Sequence, residues 1–200
     1  MIAIIDYGIG NLQSVRNMLR KAGTTDVCIT GAAEDVARAD RIILPGVGHF
    51  DYGMRRLREV PCYEVLQQKA LVEKVPVLGI CLGAQLLTRG SEEGTEPGLG
   101  WVDADTLRFQ VEGLPVPHMG WSDVTFGDHP LFRDMYPEPR FYFVHSYYLK
   151  PAQPSGALCR AEYGQPFAAG IVRDNIFGVQ FHPEKSHKFG MKLLQNFSTL

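Results

Sequence analysis

The chain has 200 residues, is 45% hydrophobic and carries a net charge of −2 from 20 basic and 22 acidic residues. This length supports one domain with a well-packed core, spanning residues 1–200, and is short for two domains. The charges are spread along the chain without a long basic run, which argues against nucleic acid as a partner. No apolar stretch approaches the roughly 20 residues that a membrane-spanning helix needs, so no membrane association is predicted.

The first residues lack the features of a secretory signal. Residues 1–6 contain no basic start, and no apolar segment with a cleavage site follows. We therefore expect a cytoplasmic protein whose thiols stay reduced. Because nothing points to secretion, no disulfides are predicted among the four cysteines. No two of them form a Cys-x-x-Cys pair, so no zinc or redox pair is predicted either. Cys28, Cys62 and Cys159 fit the pattern of small buried apolar residues.

The first half of the chain alternates predicted strands and helices. Residues 2–6 form a strand that runs into a glycine-rich turn, and a helix capped by Asn11 ends at Gly23. Further strands are predicted at residues 27–30, 41–44 and 76–80, with helices at 51–59, 63–74 and just after Cys81. This β-α-β-α order predicts a parallel sheet covered by helices on both faces.

The second half is richer in strands. They are predicted at residues 102–110, 122–126, 140–149, 157–163, 167–173 and 177–181. Asp174 and Asn175 lie between the last two strands and predict the turn of an antiparallel hairpin. A final helix is predicted at residues 188–198, and the whole is one mixed α/β domain.

The segment Gly79-Ile80-Cys81-Leu82-Gly83 follows a buried strand and opens a helix. This is the Gly-x-nucleophile-x-Gly turn with cysteine as the nucleophile. Such a turn holds its central residue in a strained backbone conformation, and the flanking glycines leave room for the neighbouring backbone. The sulfur then lies at a helix N-terminus, where free N–H groups and the helix dipole favour the thiolate. A buried cysteine in an ordinary turn remains the alternative for this segment alone.

The segment His182-Pro183-Glu184 follows an apolar strand. Residues two apart in an extended chain point to the same side, so His182 and Glu184 can approach one another across the proline. A carboxylate beside an imidazole fixes its tautomer and stabilises the imidazolium. Cys81, His182 and Glu184 thus provide a nucleophile, a base and an orienting group. Without Cys81, a surface histidine would be the simpler interpretation.

Two further glycine-rich turns follow strands. Glycines on both sides of Val47 allow its peptide plane to turn, so that its N–H can face a developing oxyanion. The alternative is a simple tight turn. The segment Gly8-Ile9-Gly10 begins like a dinucleotide-binding fingerprint, but Gln13 stands where the third glycine is needed. We therefore predict no nicotinamide or flavin cofactor.

Together these segments resemble the triad-type (class I) glutamine amidotransferases. Within them the chain is most similar to the glutaminase subunits of imidazole glycerol phosphate synthases, from histidine biosynthesis. The shared motifs occur in order over nearly the whole chain, at residues 6–12, 44–50, 79–85, 91–94, 117–121, 142–148 and 177–186. The resemblance implies a flavodoxin-like α/β fold with a mixed, mostly parallel central sheet and helices on both faces.

The resemblance assigns roles at matching positions. It implies that Cys81 is the nucleophile, that His182 is the base and acid, and that Glu184 orients His182. The oxyanion hole would comprise the N–H groups of Val47 and Leu82 in the turn that includes Gly46. The two charged ends of glutamine would be held by Gln85, Glu93, His145, Ser146 and Tyr147. A partner surface would include Asn11, Met119, Trp121, Tyr142 and Lys185.

The implied reaction is glutamine hydrolysis through a thioester, without a metal or an organic cofactor. Ammonia in neutral water is mostly protonated and no longer nucleophilic, so it must pass directly to an acceptor site. The chain is too short to hold that site, and the resemblance implies a heterodimer with a (β/α)8 cyclase subunit of imidazole glycerol phosphate synthase. Two positions depart from the family pattern, namely Ser122 in place of asparagine and Pro115 in place of lysine.

Three other functions remain as alternatives. The first is a glutaminase for a different synthase, against which the segments 6–8 and 117–121 argue. The second is a cysteine peptidase or small hydrolase, against which the match at Gln85 and residues 145–147 argues. The third is a catalytically silent regulatory module, and the intact set of Cys81, His182 and Glu184 argues against it.

Overall fold

The computed structural model describes residues 1–200. Twelve strands are present: β1 Ile2–Ile5, β2 Val27–Thr30, β3 Arg41–Gly46, β4 Val77–Cys81, β5 Ala104–Arg108, β6 His118–Asp123, β7 Thr125–Phe126, β8 Arg140–His145, β9 Tyr147–Pro151, β10 Ala157–Glu162, β11 Pro166–Arg173 and β12 Ile176–Val179. Six α-helices are α1 Leu12–Lys21, α2 Ala33–Ala37, α3 Phe50–Glu59, α4 Tyr63–Gln67, α5 Leu82–Leu86 and α6 His187–Phe197. A π-helical segment, Gln68–Val72, continues α4, and no helix is long and apolar enough to cross a membrane.

The central sheet has ten strands. Eight run in the order β2-β1-β3-β4-β12-β11-β10-β7, and β9 joins β11 while β5 joins β9. The strands from β2 to β12 pair in parallel, whereas β11 pairs with β12 in the antiparallel hairpin that the sequence predicts. Asp174 occupies the turn of this hairpin with φ of 51°. The predicted mixed α/β fold with a largely parallel sheet is therefore confirmed.

Hydrophobic side chains fill both faces of this sheet. Ile2 and Ile4 of β1 belong to a core that includes residues of α1 and α6. Ala3 and Ile5, which alternate with them, belong to a second core that includes residues of α3 and α4. Because alternate residues of a strand point to opposite faces, a strand buried throughout requires a cover on each side. The continuous apolar run of β1 is therefore explained by the two helical layers.

The predicted strand at residues 140–149 is wrong as a single element. It breaks at Ser146 into β8, which pairs with β6 in a separate two-stranded sheet, and β9, which pairs with β5 and β11. The chain stays extended as it changes sheets, so no turn residue marks the break in the sequence. The strand predicted at residues 122–126 is likewise divided, since β6 already begins at His118 and β7 holds only Thr125–Phe126.

Several local predictions about helices are also corrected. Asn11 directly precedes α1, but its side chain makes no capping hydrogen bond because its backbone has φ −93° and ψ 63°, away from the extended conformation that capping needs. Gly23 does end the helix, with φ of 96°, and the next N–H donates to the Leu19 carbonyl. The short helix α2 was not predicted.

The four cysteines are free. Cys62, Cys81 and Cys159 are buried, but Cys28 is only partly buried, so the prediction for Cys28 is too strong. The reason is the position of β2, which is an edge strand of the sheet and is therefore covered less completely.

Candidate active site

The site lies where three neighbouring parallel strands, β3, β4 and β12, end. Gly46 ends β3 and Cys81 ends β4, and these two residues are register partners. The neighbouring β12 ends at Val179, and Gln180 and His182 lie in the next three residues. In open α/β sheets, ligands bind beyond the carboxyl ends of the strands, so the topology brings the predicted residues to the expected edge.

Cys81 occupies a strained turn between β4 and α5. Its backbone has φ of 54° and ψ of −113°, an unusual conformation for a residue with a side chain. A Cβ at Gly83 would lie 1.7 Å from the Leu44 carbonyl oxygen, and one at Gly79 would lie 2.7 Å from the Gly83 carbonyl oxygen. Both positions therefore require glycine. The structure shows the backbone conformation that the sequence predicts for a nucleophile-bearing turn.

His182 and Glu184 form a buried pair. The His182 Nδ1 lies 2.8 Å from the Glu184 Oε1, and the two side chains are 2% and 3% exposed. The predicted contact is present, but the extended backbone invoked for it is wrong, because Pro183–Lys185 forms a 3-10 turn. Proline supplies the φ value that begins such a turn, and the turn then brings the carboxylate back to the imidazole.

The imidazole of His182 is biased towards its protonated form. Burial lowers its pKa, but interactions with the Cys81 sulfur and the Glu184 carboxylate outweigh burial and raise the pKa to about 9. The Nε2 atom has no hydrogen-bond partner of ordinary geometry within the chain. This leaves it available to exchange a proton with the Cys81 sulfur or with a bound molecule.

A cavity of about 370 Å³ opens above Cys81. Its walls contain most of the predicted site residues, namely Val47, Cys81, Leu82, Gln85, Glu93, His145, Ser146, Tyr147, His182 and Lys185. Glu184 lies behind His182 and does not line the cavity. The volume suits a small polar molecule of the size of an amino acid rather than an extended polymer.

The turn after β3 forms one wall of this cavity. Val47 is 44% exposed, and its N–H makes no hydrogen bond with the rest of the chain. Gly48 has φ of 99° and open space around its α-carbon. Gly46 differs, because it is buried and a Cβ there would lie 2.5 Å from the Tyr7 hydroxyl oxygen. That hydroxyl donates to the Pro45 carbonyl at 2.6 Å and fixes the start of the turn.

Glu93 has a structural contact as well as a place in the cavity wall. Its Oε2 accepts a hydrogen bond of 2.8 Å from the N–H of Phe50, the first residue of α3. A carboxylate at a helix N-terminus is stabilised by the free N–H groups and the helix dipole. This hydrogen bond fixes the Glu93 side chain through Oε2 and does not involve Oε1.

Gln180 is a site residue that the sequence analysis missed. Its side chain is fully buried, and its amide oxygen accepts a hydrogen bond of 3.1 Å from Gln85 Nε2. Its own Nε2 donates to the Cys81 sulfur at 3.8 Å. One signal in the sequence is a polar residue between Val179 and Phe181, two positions before His182. A polar side chain buried in an apolar strand requires partners, and here the partners belong to the site.

The predicted partner residues lie mainly on β6 and β8. Met119 and Trp121 are 62% and 42% exposed, and the ring of Trp121 packs against Tyr142 with centroids 6.1 Å apart. Lys185 Nζ lies 5.8 Å from the Tyr142 ring centroid. We call Met119, Trp121, Tyr142 and Lys185 the aromatic patch. Asn11 is exposed at the start of α1, which packs against the Pro183–Lys185 turn.

Comparisons with known proteins define the class of this chain. The sequence profile of the family Glutamine amidotransferase class-I matches residues 3–199, so the chain belongs to the class-I glutamine amidotransferases. A Pseudomonas aeruginosa protein, Imidazole glycerol phosphate synthase subunit HisH 2, is 50% identical over 202 residues, with 100% of both chains covered. A Methanococcus maripaludis protein of the same name is 49% identical over 199 residues, with 98% of each covered.

Solved structures show the same fold at lower sequence identity. The structure of PurLQS from Thermotoga maritima aligns with a TM-score of 0.72 at 18% identity, covering 99% of this chain and 97% of that one. A crystal structure of a glutamine amidotransferase aligns with a TM-score of 0.73 at 15% identity, covering 97% and 99%. These likenesses concern the fold alone.

Proposed function

We propose that this chain is the glutaminase subunit of an imidazole glycerol phosphate synthase and acts as one domain. It hydrolyses glutamine to glutamate and ammonia for histidine biosynthesis. The observation that carries the proposal is the buried pair of His182 and Glu184, 2.8 Å apart, beside Cys81 in a cavity of amino-acid size. Full-length identity of 50% to a relative of that name supports the particular synthase.

The reaction proceeds through a thioester on Cys81. The thiolate attacks the side-chain amide carbon of glutamine, and the carbonyl oxygen becomes an oxyanion. Protonated His182 then gives its Nε2 proton to the departing nitrogen, and ammonia leaves as the C–N bond breaks. Next, His182 takes a proton from water, which attacks the thioester. Glutamate leaves, and the Cys81 sulfur is free again.

Glu184 keeps His182 in the required tautomer during this cycle. Its carboxylate holds the proton on Nδ1, so the lone pair of neutral His182 lies on Nε2. The N–H groups of Val47 and Leu82 are proposed to bind the oxyanion. The N–H of Val47 has no partner within the chain, which suits a group that awaits a ligand.

The remaining wall residues are proposed to hold the charged ends of glutamine. Glu93 offers a carboxylate for the α-ammonium group and is fixed by its bond to the N–H of Phe50. Gln85 and the segment from His145 to Tyr147 line the same cavity and offer hydrogen bonds. A site with fixed polar groups favours glutamine over analogues that lack the matching atoms.

We propose that the aromatic patch docks a (β/α)8 cyclase subunit to form a heterodimer. Exposed Trp121 and Met119 next to Tyr142 and Lys185 give the mixture of aromatic, flexible apolar and cationic groups typical of an interface. Ammonia is then passed directly to the cyclase, whose lyase chemistry uses it. The four free cysteines are consistent with a cytoplasmic, reducing compartment.

The test is glutamate release from glutamine by the purified chain, alone and then with a cyclase subunit and its nucleotide ligand. We expect low release alone and a large rise with the loaded cyclase. Cys81→Ala is expected to abolish release and to leave cyclase binding intact. High release that the cyclase leaves unchanged would instead indicate a glutaminase for another synthase, and no release by reduced wild-type protein would refute the proposed function.

A further inference from the structure

A buried histidine outside the proposed triad contacts a residue in the wall of the proposed glutamine cavity. His118 of β6 is 2% exposed, and its Nδ1 lies 2.9 Å from the Nε2 of His145 on the cavity wall. The other nitrogen of His118 lies 2.8 Å from the hydroxyl of Ser122. The His118 ring is also stacked between Phe143 and Tyr163, with centroids 4.9 and 4.1 Å away. Nothing in the proposed reaction cycle uses this side chain.

A backbone carbonyl fixes the direction of all these hydrogen bonds. The Nδ1 of His145 lies 2.7 Å from the Tyr147 carbonyl oxygen, which can only accept, so the proton of His145 is on Nδ1. The Nε2 of His145 must then accept from His118 Nδ1, and His118 Nε2 must accept from the Ser122 hydroxyl. Burial, the main cause, lowers the pKa of His118 to about 4 and that of His145 to about 3, so both rings are neutral.

The same carbonyl connects these residues to the floor of the cavity. Gln85 Nε2 donates to the Tyr147 carbonyl at 3.4 Å and to Gln180 Oε1 at 3.1 Å. Gln180 Nε2 in turn donates to the Cys81 sulfur. A continuous chain of buried and part-buried hydrogen bonds therefore joins Ser122, next to exposed Trp121, to the sulfur of Cys81. It crosses from the two-stranded sheet to the central sheet at the break between β8 and β9.

We propose that His118 and Ser122 are positioning residues, which hold the His145–Tyr147 wall in the conformation that binds the charged ends of glutamine. The inference rests on the proposed function, since it concerns the same cavity. His118 acts through His145 and does not touch the substrate. The Ser122 hydroxyl donates to the second ring nitrogen of His118. Serine therefore has a role at this position, where the sequence departs from the family pattern.

The test compares two alkylating agents on Cys81, and mass spectrometry of the Cys81 peptide gives each rate. L-2-Amino-4-oxo-5-chloropentanoic acid keeps the amino and carboxylate ends of glutamine, whereas iodoacetamide lacks them. In each case the thiolate displaces a halide ion and forms a C–S bond. We expect wild-type protein to react preferentially with the glutamine-shaped reagent. No preference in wild-type protein would refute the proposed function itself.

The variants separate positioning from damage to the nucleophile. His118→Phe keeps the stacked ring but removes both hydrogen bonds, so we expect about a tenfold loss of the preference with an unchanged iodoacetamide rate. Ser122→Ala removes one bond and is expected to lose about fivefold, whereas Ser122→Thr keeps the hydroxyl and restores the preference. Ser198→Ala, which removes an exposed hydroxyl on the far C-terminal segment, is the matched control.

A spectroscopic measurement tests the bond directions independently. Nitrogen-15 spectra of the histidine rings at pH 6 should show both His118 and His145 neutral with the proton on Nδ1. A proton on Nε2 of His145 would overturn the chain of bonds. A full preference for the glutamine-shaped reagent in both His118→Phe and Ser122→Ala would overturn the positioning role while leaving the proposed function intact.

Discussion

The Nδ1 of His182 lies 2.8 Å from the Oε1 of Glu184, although only Pro183 separates the two residues in the chain. In the neutral imidazole, a carboxylate at this distance keeps the proton on Nδ1 and leaves the lone pair on Nε2. That Nε2 is buried without a partner of ordinary geometry, and so is the second oxygen of Glu184. Unpaired polar atoms in a buried site are costly, and His182 lines the cavity while Glu184 lies behind it, so we expect the Nε2 of His182 to serve a bound molecule.

We predict that His182→Asn loses more turnover than Glu184→Gln. In the proposed cycle His182 transfers the proton in both halves of the reaction, and a positioned acid–base group is typically worth about 10²–10⁴ in rate. Glutamine at position 184 can still accept from Nδ1 through its amide oxygen, so we expect Glu184→Gln to lose less turnover than His182→Asn. The measurement is kcat for glutamate release with saturating cyclase, and exposed Glu162→Gln is the matched control. The reverse order would exchange the assigned importance of the two residues.

The raised pKa of His182 predicts a pH dependence of folding. Its value of about 9 in the folded chain exceeds the ordinary value of 6.5, so the folded state holds its proton more tightly. This contribution to the free energy of unfolding is fully present below pH 6.5 and is lost as the pH rises through about 9. Urea unfolding at pH 6, 7.5 and 9.5 measures it.

The comparison chain for this pH experiment is His182→Gln, which cannot titrate. We expect the unfolding free energy of wild type, relative to that of His182→Gln, to decrease between pH 6.5 and 9. A difference that stays constant over that range would show that the His182 pKa is not raised in the folded protein.

The glycines around Val47 should respond differently to alanine. A methyl group at Gly46 would meet the Tyr7 hydroxyl at 2.5 Å and the Gly83 nitrogen at 2.9 Å, so Gly46→Ala should destabilise the fold by about 1–3 kcal/mol. The Cβ added by Gly48→Ala would meet no atom within 4 Å. Alanine disfavours the φ of 99° at this position, however, so the substitution should alter the conformation of the turn. Thermal unfolding of Gly46→Ala and wild type measures the predicted destabilisation.

The ratio of cyclase-stimulated to resting glutamate release tests the altered turn conformation predicted for Gly48→Ala. We expect Gly48→Ala to change this ratio, because the orientation of the Val47 N–H depends on the turn. If Gly48→Ala keeps the wild-type ratio, the conformation of this turn does not control the stimulation by the cyclase. Gly46→Ala is a poor probe of such control, since the clash with Tyr7 would alter the cavity with or without the cyclase.

Gln180→Met is predicted to slow the chemical step. Methionine fills a similar volume but removes the donor to the Cys81 sulfur and the acceptor for Gln85. A hydrogen bond to a charged group contributes about 1.5–3 kcal/mol, which corresponds to about 10–100-fold in rate. The rate of Cys81 alkylation by iodoacetamide measures the effect on the sulfur without the need for glutamine. Gln195→Met on α6 is the control, and an equal rate in wild type and Gln180→Met would remove Gln180 from the site.

The sequence was most informative where a function depends on neighbours along the chain. The Cys81 turn and the His182–Glu184 contact are both local. Glycine spacing predicted the turn, and the two-residue spacing of His182 and Glu184 predicted the contact, although a 3-10 turn rather than an extended backbone forms it. Gln180 and His118 depend on contacts between strands that are distant in sequence, and only Gln180 leaves a local signal, as a polar residue between Val179 and Phe181. The split at Ser146 was missed for a similar reason, because pairing partners rather than backbone conformation distinguish β8 from β9.

The tight packing beneath Cys81 also bears on how this site can be re-engineered. Backbone atoms of neighbouring segments occupy the space where side chains at Gly79 and Gly83 would grow. The α-carbon of residue 81 is therefore held by main-chain atoms that no side-chain replacement alters. Serine or selenocysteine installed at this one position would inherit the same placement, so differences in reactivity among such variants would report the chemistry of the attacking atom itself.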